Sequence, residues 1–151
     1  MWQHLRLIGV VTLLLSSWSA GAIPSPRSTT CREIARLLRT PGSDGIANSI
    51  IYGESVGGYD VYQGLDLDRD GQVDKVAKSC SASIVPADPC ILEVELTSGK
   101  KYEVEAWRMY LINFDKNTYV VTSDLEVSGK RASRSILLLG RSGARRICAG
   151  L

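Results

Sequence analysis

Between Gly64 and Lys75 the chain reads Leu-Asp-Leu-Asp-Arg-Asp-Gly-Gln-Val-Asp, so Asp66, Asp68, Asp70 and Asp74, four of its nine aspartates, crowd around Gly71. Carboxylates this close repel one another, and the arrangement makes chemical sense chiefly when a hard divalent cation compensates them. The flanking runs, Tyr59 to Gly64 and Val73 to Cys80, read as strands. The segment is therefore predicted to be a β-loop-β wrapped around an ion, with Ca2+ the cation that suits oxygen ligands at this spacing. In this reading Asp66, Asp68 and Asp70 supply side-chain oxygens, Gln72 its backbone carbonyl, and Asp74 the closing carboxylate, directly or through water. Gly71 allows the sharp turn, and Val73 plugs the loop into the core.

The first 22 residues suggest where such a loop would meet calcium. His4 and Arg6 flank a polar start, Leu7 to Leu15 form an apolar run too short to span a bilayer, and Ala20-Gly21-Ala22 is a small-x-small cleavage site. Residues 1–22 are predicted to be a removed signal peptide, residues 23–30 a loose Pro-, Ser- and Thr-rich arm, and residues 31–151 one domain. No cysteine follows the cleavage point directly and no second long apolar stretch appears, so no membrane anchor is expected. The expected location is secreted or periplasmic.

Four cysteines, Cys31, Cys80, Cys90 and Cys148, lie in the exported part. An even count in an oxidising compartment favours two disulfides, and no Cys-x-x-Cys spacing supports zinc instead. Three pairings are possible. The favoured one joins Cys80 to Cys90 across a short loop with Pro86 and Pro89, and Cys31 to Cys148, pinning a first helix to a last strand.

Cleavage would remove His4, the chain's single histidine. Without it the chain cannot run a Ser-His-Asp or Cys-His mechanism and has no imidazole base, so an enzyme is not expected. Phosphate-loop and dinucleotide-binding glycine motifs are also missing. Without Arg6, 17 basic side chains face 16 acidic ones. That balance implies no nucleic-acid partner.

Ile34, Leu37 and Leu38 fall on one face of a helix expected from about Cys31 to Arg39, which Pro41-Gly42 would stop. Short alternating or apolar runs then recur between turn signals: Ser49 to Tyr52, Tyr59 to Gly64, Val73 to Cys80, Ile91 to Thr97, Lys101 to Asn113, Thr118 to Thr122, Arg134 to Leu139 and Ala144 to Cys148. The fold class is mainly β, an antiparallel sheet or sandwich with one short N-terminal helix. A hairpin through Ser98-Gly99-Lys100 would set Glu93 opposite Glu105 and Glu95 opposite Glu103. Opposed like charges are unfavourable, and the basic residues Lys130, Arg131, Arg134, Arg141, Arg145 and Arg146 of the acid-free last 22 residues are the expected remedy.

Residues 66–74 resemble the Asp-x-Asp-x-Asp-Gly-x-x-Asp calcium loops of FG-GAP and VCBS-type β-propeller repeats, and more loosely those of dockerins and thrombospondin type 3 repeats. The resemblance implies calcium binding by Asp66, Asp68, Asp70, Gln72 and Asp74. It does not imply a propeller, since one blade cannot close one. It also departs from an EF-hand, because Ala77 stands where that site has its bidentate Glu. The expected function is an exported calcium-binding interaction domain whose partner is a protein or glycan. The alternative is an inhibitor of an extracellular enzyme, presenting the Ile84 to Pro89 loop.

Overall fold

A computed structural model describes residues 29–42, 45–81, 88–124 and 133–151. The expected signal peptide and residues 23–28 of the expected arm lie outside these residues. Lys130 and Arg131 do too, as does most of the 84–89 loop.

The described chain begins with helix α1 (Thr29–Arg39), two residues earlier than expected. Cys31 and Ile34 are its buried residues, one turn apart on one face, and Arg36 and Arg39 sit in its last turn, where the helix dipole favours cations. Thr40 closes the end, its hydroxyl donating to the Arg36 carbonyl at 3.0 Å and its N–H to Leu37. Pro41 cannot continue the helix.

Ten strands follow: β1 (Ile50–Ile51), β2 (Glu54–Val56), β3 (Tyr59–Tyr62), β4 (Lys75–Ser79), β5 (Cys90–Glu95), β6 (Lys101–Ala106), β7 (Arg108–Phe114), β8 (Asn117–Ser123), β9 (Arg134–Leu138) and β10 (Arg145–Ala149). They form two antiparallel sheets, β2-β3-β4-β5-β6 and β1-β7-β8-β9-β10. The expected mainly β fold with one helix near the N-terminus is what the chain adopts. Two details differ. The run Lys101 to Asn113 is not one strand, because Trp107 bends the chain out of the first sheet and into the second. β2 was not expected, and the Gly57-Gly58 turn, with both φ positive, folds it back onto β3.

The sheets pack face to face. Tyr62, Val76, Leu92, Val94 and Val104 of the first sheet share a core with Met109, Leu111 and Val120 of the second. A second cluster lies on the other side of the second sheet, where Cys31 and Ile34 of α1 meet Ile112, Tyr119, Val121, Ile136 and Cys148. β7 and β8 are therefore covered on both faces, which explains their near-continuous apolar runs. The disulfides join Cys31 to Cys148 and Cys80 to Cys90, as expected, and point to an oxidising, extracellular setting. No helix among the described residues is long and apolar enough to cross a membrane.

The β5–β6 hairpin carries a correction. Its loop is the three residues Thr97-Ser98-Gly99, closed by Leu96 N–H to the Lys100 carbonyl and Gly99 N–H to the Leu96 carbonyl, with Gly99 at φ 83°. That shifts the register by two residues from expectation. Glu93 lies opposite Glu103, Ile91 opposite Glu105, and Glu95 opposite Lys101. Glu95 is balanced by Lys101 at 3.3 Å and Lys75 at 3.7 Å, and not by any of the described C-terminal arginines.

Candidate metal centre

The aspartate loop connects β3 to β4 at one end of the sandwich. Leu65 and Leu67, each 7% exposed, point into the core between the sheets, so the residues alternating with them, Asp66 and Asp68, are carried onto the loop's other side. Arg69 at φ 60° and Gly71 at φ 86° then reverse the chain. The Asp74 N–H closes the loop on the Leu65 carbonyl at 2.7 Å. Val73 is 59% exposed and plugs nothing, which corrects the expectation. Its neighbour Asp74 returns to the interior instead, because two backbone donors await its carboxylate there.

Asp74 is 2% exposed, with Oδ2 accepting the Leu67 N–H at 2.7 Å and Oδ1 accepting the Thr97 N–H at 2.9 Å. It thus ties the loop to the β5–β6 turn. Asp66 accepts N–H bonds from Asp70 at 3.1 Å and Gly71 at 3.0 Å. Asp70 accepts the Gln72 N–H at 2.8 Å and the Thr97 hydroxyl at 2.6 Å. The Thr97 bond, with that from Gln72, holds the Asp70 carboxyl below its ordinary value. Arg69 donates to the Lys116 carbonyl at 3.0 Å and to Asn117 Oδ1 at 2.6 Å, which anchors the loop to the β7–β8 turn.

Asp68 is different. Its side chain is 1% exposed, yet Oδ1 has no hydrogen-bond partner among the described residues, and Oδ2 lies 3.8 Å from the Arg141 Nε. Nearby, the buried Tyr102 hydroxyl also lacks a well-formed hydrogen bond. Burial pushes its ionisation up to about 12, the Gly140 backbone opposes this, and the charges of Asp74 and Asp68 add to it.

Asp66, Asp68 and Asp74 form one group in which one carboxylate oxygen of each lies within 4.8 Å of the others, an arrangement that could hold a metal ion. Asp70 stands outside that group, its oxygens engaged by Gln72 and Thr97. Gln72 is exposed and contributes its N–H to Asp70. Ala77 pairs with Val61 and Glu93 inside β4, so the loop leads into a strand where an EF-hand leads into a helix. Thr97, Arg141 and Tyr102 were not singled out for this site from the sequence. Their approach depends on long-range topology, and no local motif announces it.

A second polar region lies on the outer face of the first sheet. A hollow of about 470 Å³ there is lined by Lys75, Glu93, Glu95, Lys101 and Glu103 among others. Glu93, Glu103 and Glu105 are exposed and make no ion pair among the described residues. Val56 and Tyr59, cross-strand partners, are also exposed on this face, at 54% and 44%.

Comparison with known proteins adds no relative: no protein family matches the chain, and no curated protein or solved structure is significantly similar to it.

Proposed function

We propose that this protein is an exported calcium-binding interaction domain, a binding protein and not an enzyme, whose loop 66–74 holds Ca2+ at one end of the sandwich. The observation that carries the reading is Asp68, a buried carboxylate with one oxygen unpartnered inside a group of three acids. A charge taken out of water without a partner is costly, and buried carboxylates are normally paired or bound to a cation. All the side-chain donors are oxygens, which suits Ca2+ or Mg2+ and disfavours softer metals. Calcium is the better fit because it accepts irregular oxygen shells, while Mg2+ demands near-ideal octahedra. Asp66, Asp68 and Asp74 supply carboxylate oxygens. Asp70, whose oxygens retain free lone pairs, and the Gln72 carbonyl complete the proposed ligand set.

The ion would be structural. It would sit where the loop already meets the β5–β6 turn through Asp74, the β7–β8 turn through Arg69 and the β9–β10 turn through Arg141. Partner binding is then assigned to the outer face of the first sheet, where Val56 and Tyr59 lie on β2 and β3 and, across β4, Glu93, Glu103 and Glu105 on β5 and β6 have no ion pair among the described residues. The chemistry that complements this face is a cationic protein or glycan surface.

Calorimetric titration with calcium tests the metal. Affinity in the 10⁻⁴ to 10⁻³ M order is expected, as for other extracellular modules. Calcium at ten times Kd should add about 1.4 kcal/mol to stability by mass action and raise Tm accordingly. The absence of both binding heat and a Tm shift in the wild type at about 10 mM calcium would end the reading.

A further inference from the structure

We propose that Arg141 is a built-in competitor for the cation and sets the affinity of the Asp66, Asp68 and Asp74 group. The inference rests on the calcium reading and concerns how that site is regulated.

Two arginines stand beside the loop, and they do different things. Arg69 has its guanidinium engaged by Lys116 and Asn117, so it positions the loop and does not compensate the acids. Arg141, from the β9–β10 turn, is directed at Asp68. Its Nε lies 3.8 Å from Oδ2, too far for a hydrogen bond but close enough for an ion pair. The pair is lopsided in burial, with the Asp68 side chain 1% exposed and the Arg141 side chain 76% exposed.

That asymmetry defines the exchange. Asp68 cannot turn to water and needs a cation, whereas Arg141 is largely hydrated and gives up little by swinging away. Calcium carries twice the charge and approaches carboxylate oxygens to about 2.3–2.6 Å, so it outcompetes a guanidinium held only at ion-pair range. The turn does not depend on the arginine side chain, because Gly143 N–H to the Gly140 carbonyl closes it at 2.9 Å and Arg145 pairs with Leu138 beyond it. Arg141 can therefore leave without unfolding β9 or β10. While it stays, it keeps a positive charge beside the oxygens that calcium must reach.

The consequence is a pair of opposite signs. Replacing Arg141 by Gln leaves Asp68 without its compensating charge, so the variant should melt below wild type in chelator. The same change removes a repulsive charge from the bound ion's surroundings, so calcium should bind roughly three- to tenfold more tightly at low ionic strength. Calcium should then narrow or reverse the difference in Tm. A side chain with a merely structural role would lower stability without tightening binding.

The test is calorimetric titration of wild type, Arg141→Gln, Arg141→Lys and Arg141→Glu with calcium chloride, with melting curves in chelator and in saturating calcium. The proposal expects Gln tighter than wild type, Glu tighter still, and Lys near wild type. If wild type binds calcium and Arg141→Gln binds equally or more weakly, the competitor is overturned and the metal site stands. If no variant binds calcium, the metal site and the competitor fall together.

Discussion

The two sheets are stabilised by different chemistry. β8 in the second sheet buries Tyr119, Val120 and Val121 in succession, because one face meets the first sheet and the other meets α1. β5 in the first sheet alternates, with Leu92 and Val94 buried and Glu93 exposed between them. The second sheet is thus held by apolar burial on both sides and by a disulfide that fastens its helix. The first sheet has one apolar face, and its open end is fastened by carboxylates. Apolar contacts and disulfides are indifferent to calcium and to mild changes of pH. Carboxylate hydrogen bonds and ion sites are not, so the two halves should respond differently to the same perturbation.

The strongest way to break this contrast is to cut the covalent tie on the apolar side. Cys31 and Cys148 are 117 residues apart, whereas Cys80 and Cys90 are 10 apart. In the chain-entropy account the longer loop contributes more, roughly 4–5 kcal/mol against about 3 kcal/mol. Urea unfolding of Cys31→Ser/Cys148→Ser should show the larger loss. Equal losses from the two double variants would mean that α1 stays docked through Ile34 and its neighbours with little help from the bond.

The next perturbation acts on the polar side. Asp74→Ala removes the acceptor for the Leu67 and Thr97 N–H groups, leaving buried donors unpaired, and should cost roughly 2–4 kcal/mol even in chelator. Hydrogen exchange should then show faster opening of Leu67, Thr97 and the β3–β4 and β5–β6 connections, while the amides of β8 stay protected. Uniform loosening of both sheets would show that the loop braces the whole sandwich, and the contrast between the halves would lose its meaning.

The parts of this design that could be read from the chain are the ones written in local pattern. Turn residues such as Gly57-Gly58 and Ser98-Gly99 marked where strands end, and the apolar face of residues 31–39 marked the helix. Cysteine order and the placement of the helix and last strand suggested the disulfides. Features set by a neighbour far along the chain were not legible. Apolar character runs on through Trp107, so nothing local says that the chain changes sheets there. Glu54, Ser55 and Val56 are all exposed, so β2 has no burial alternation to reveal it. The two-residue shift of the β5–β6 hairpin came from the size of its loop, since closure at Leu96 and Lys100 and not one pair later decides which glutamates face each other. In the loop itself the carboxylates were evident, whereas Arg141 beside Asp68 was not. That contact requires the β9–β10 turn to fold back across the end of the sandwich.

The smallest expected effect sharpens the contrast at a single atom. Tyr102 belongs to β6, but its buried hydroxyl lies in the field of Asp68 and Asp74 and lacks a well-formed hydrogen bond. Tyr102→Phe should therefore change stability at neutral pH by no more than about 0.5 kcal/mol, because the hydroxyl it removes has no good bond to lose. Alkaline solution should separate the two proteins. Unfolded, the phenol ionises near 10.0, while in the fold its value is pushed up to about 12, so the native state holds the proton longer than the unfolded state. The stability from neutral Tyr102 is fully present below pH 10 and is lost as pH rises towards 12. Phenylalanine has no proton to lose, and the variant's stability should fall less steeply across that window. Some slope should remain, since burial also raises Tyr62 and Tyr110. Urea midpoints measured at intervals from pH 9 to about pH 12 would decide it. Parallel curves for the two proteins would place the Tyr102 hydroxyl in contact with water and remove it from the buried polar end of the first sheet.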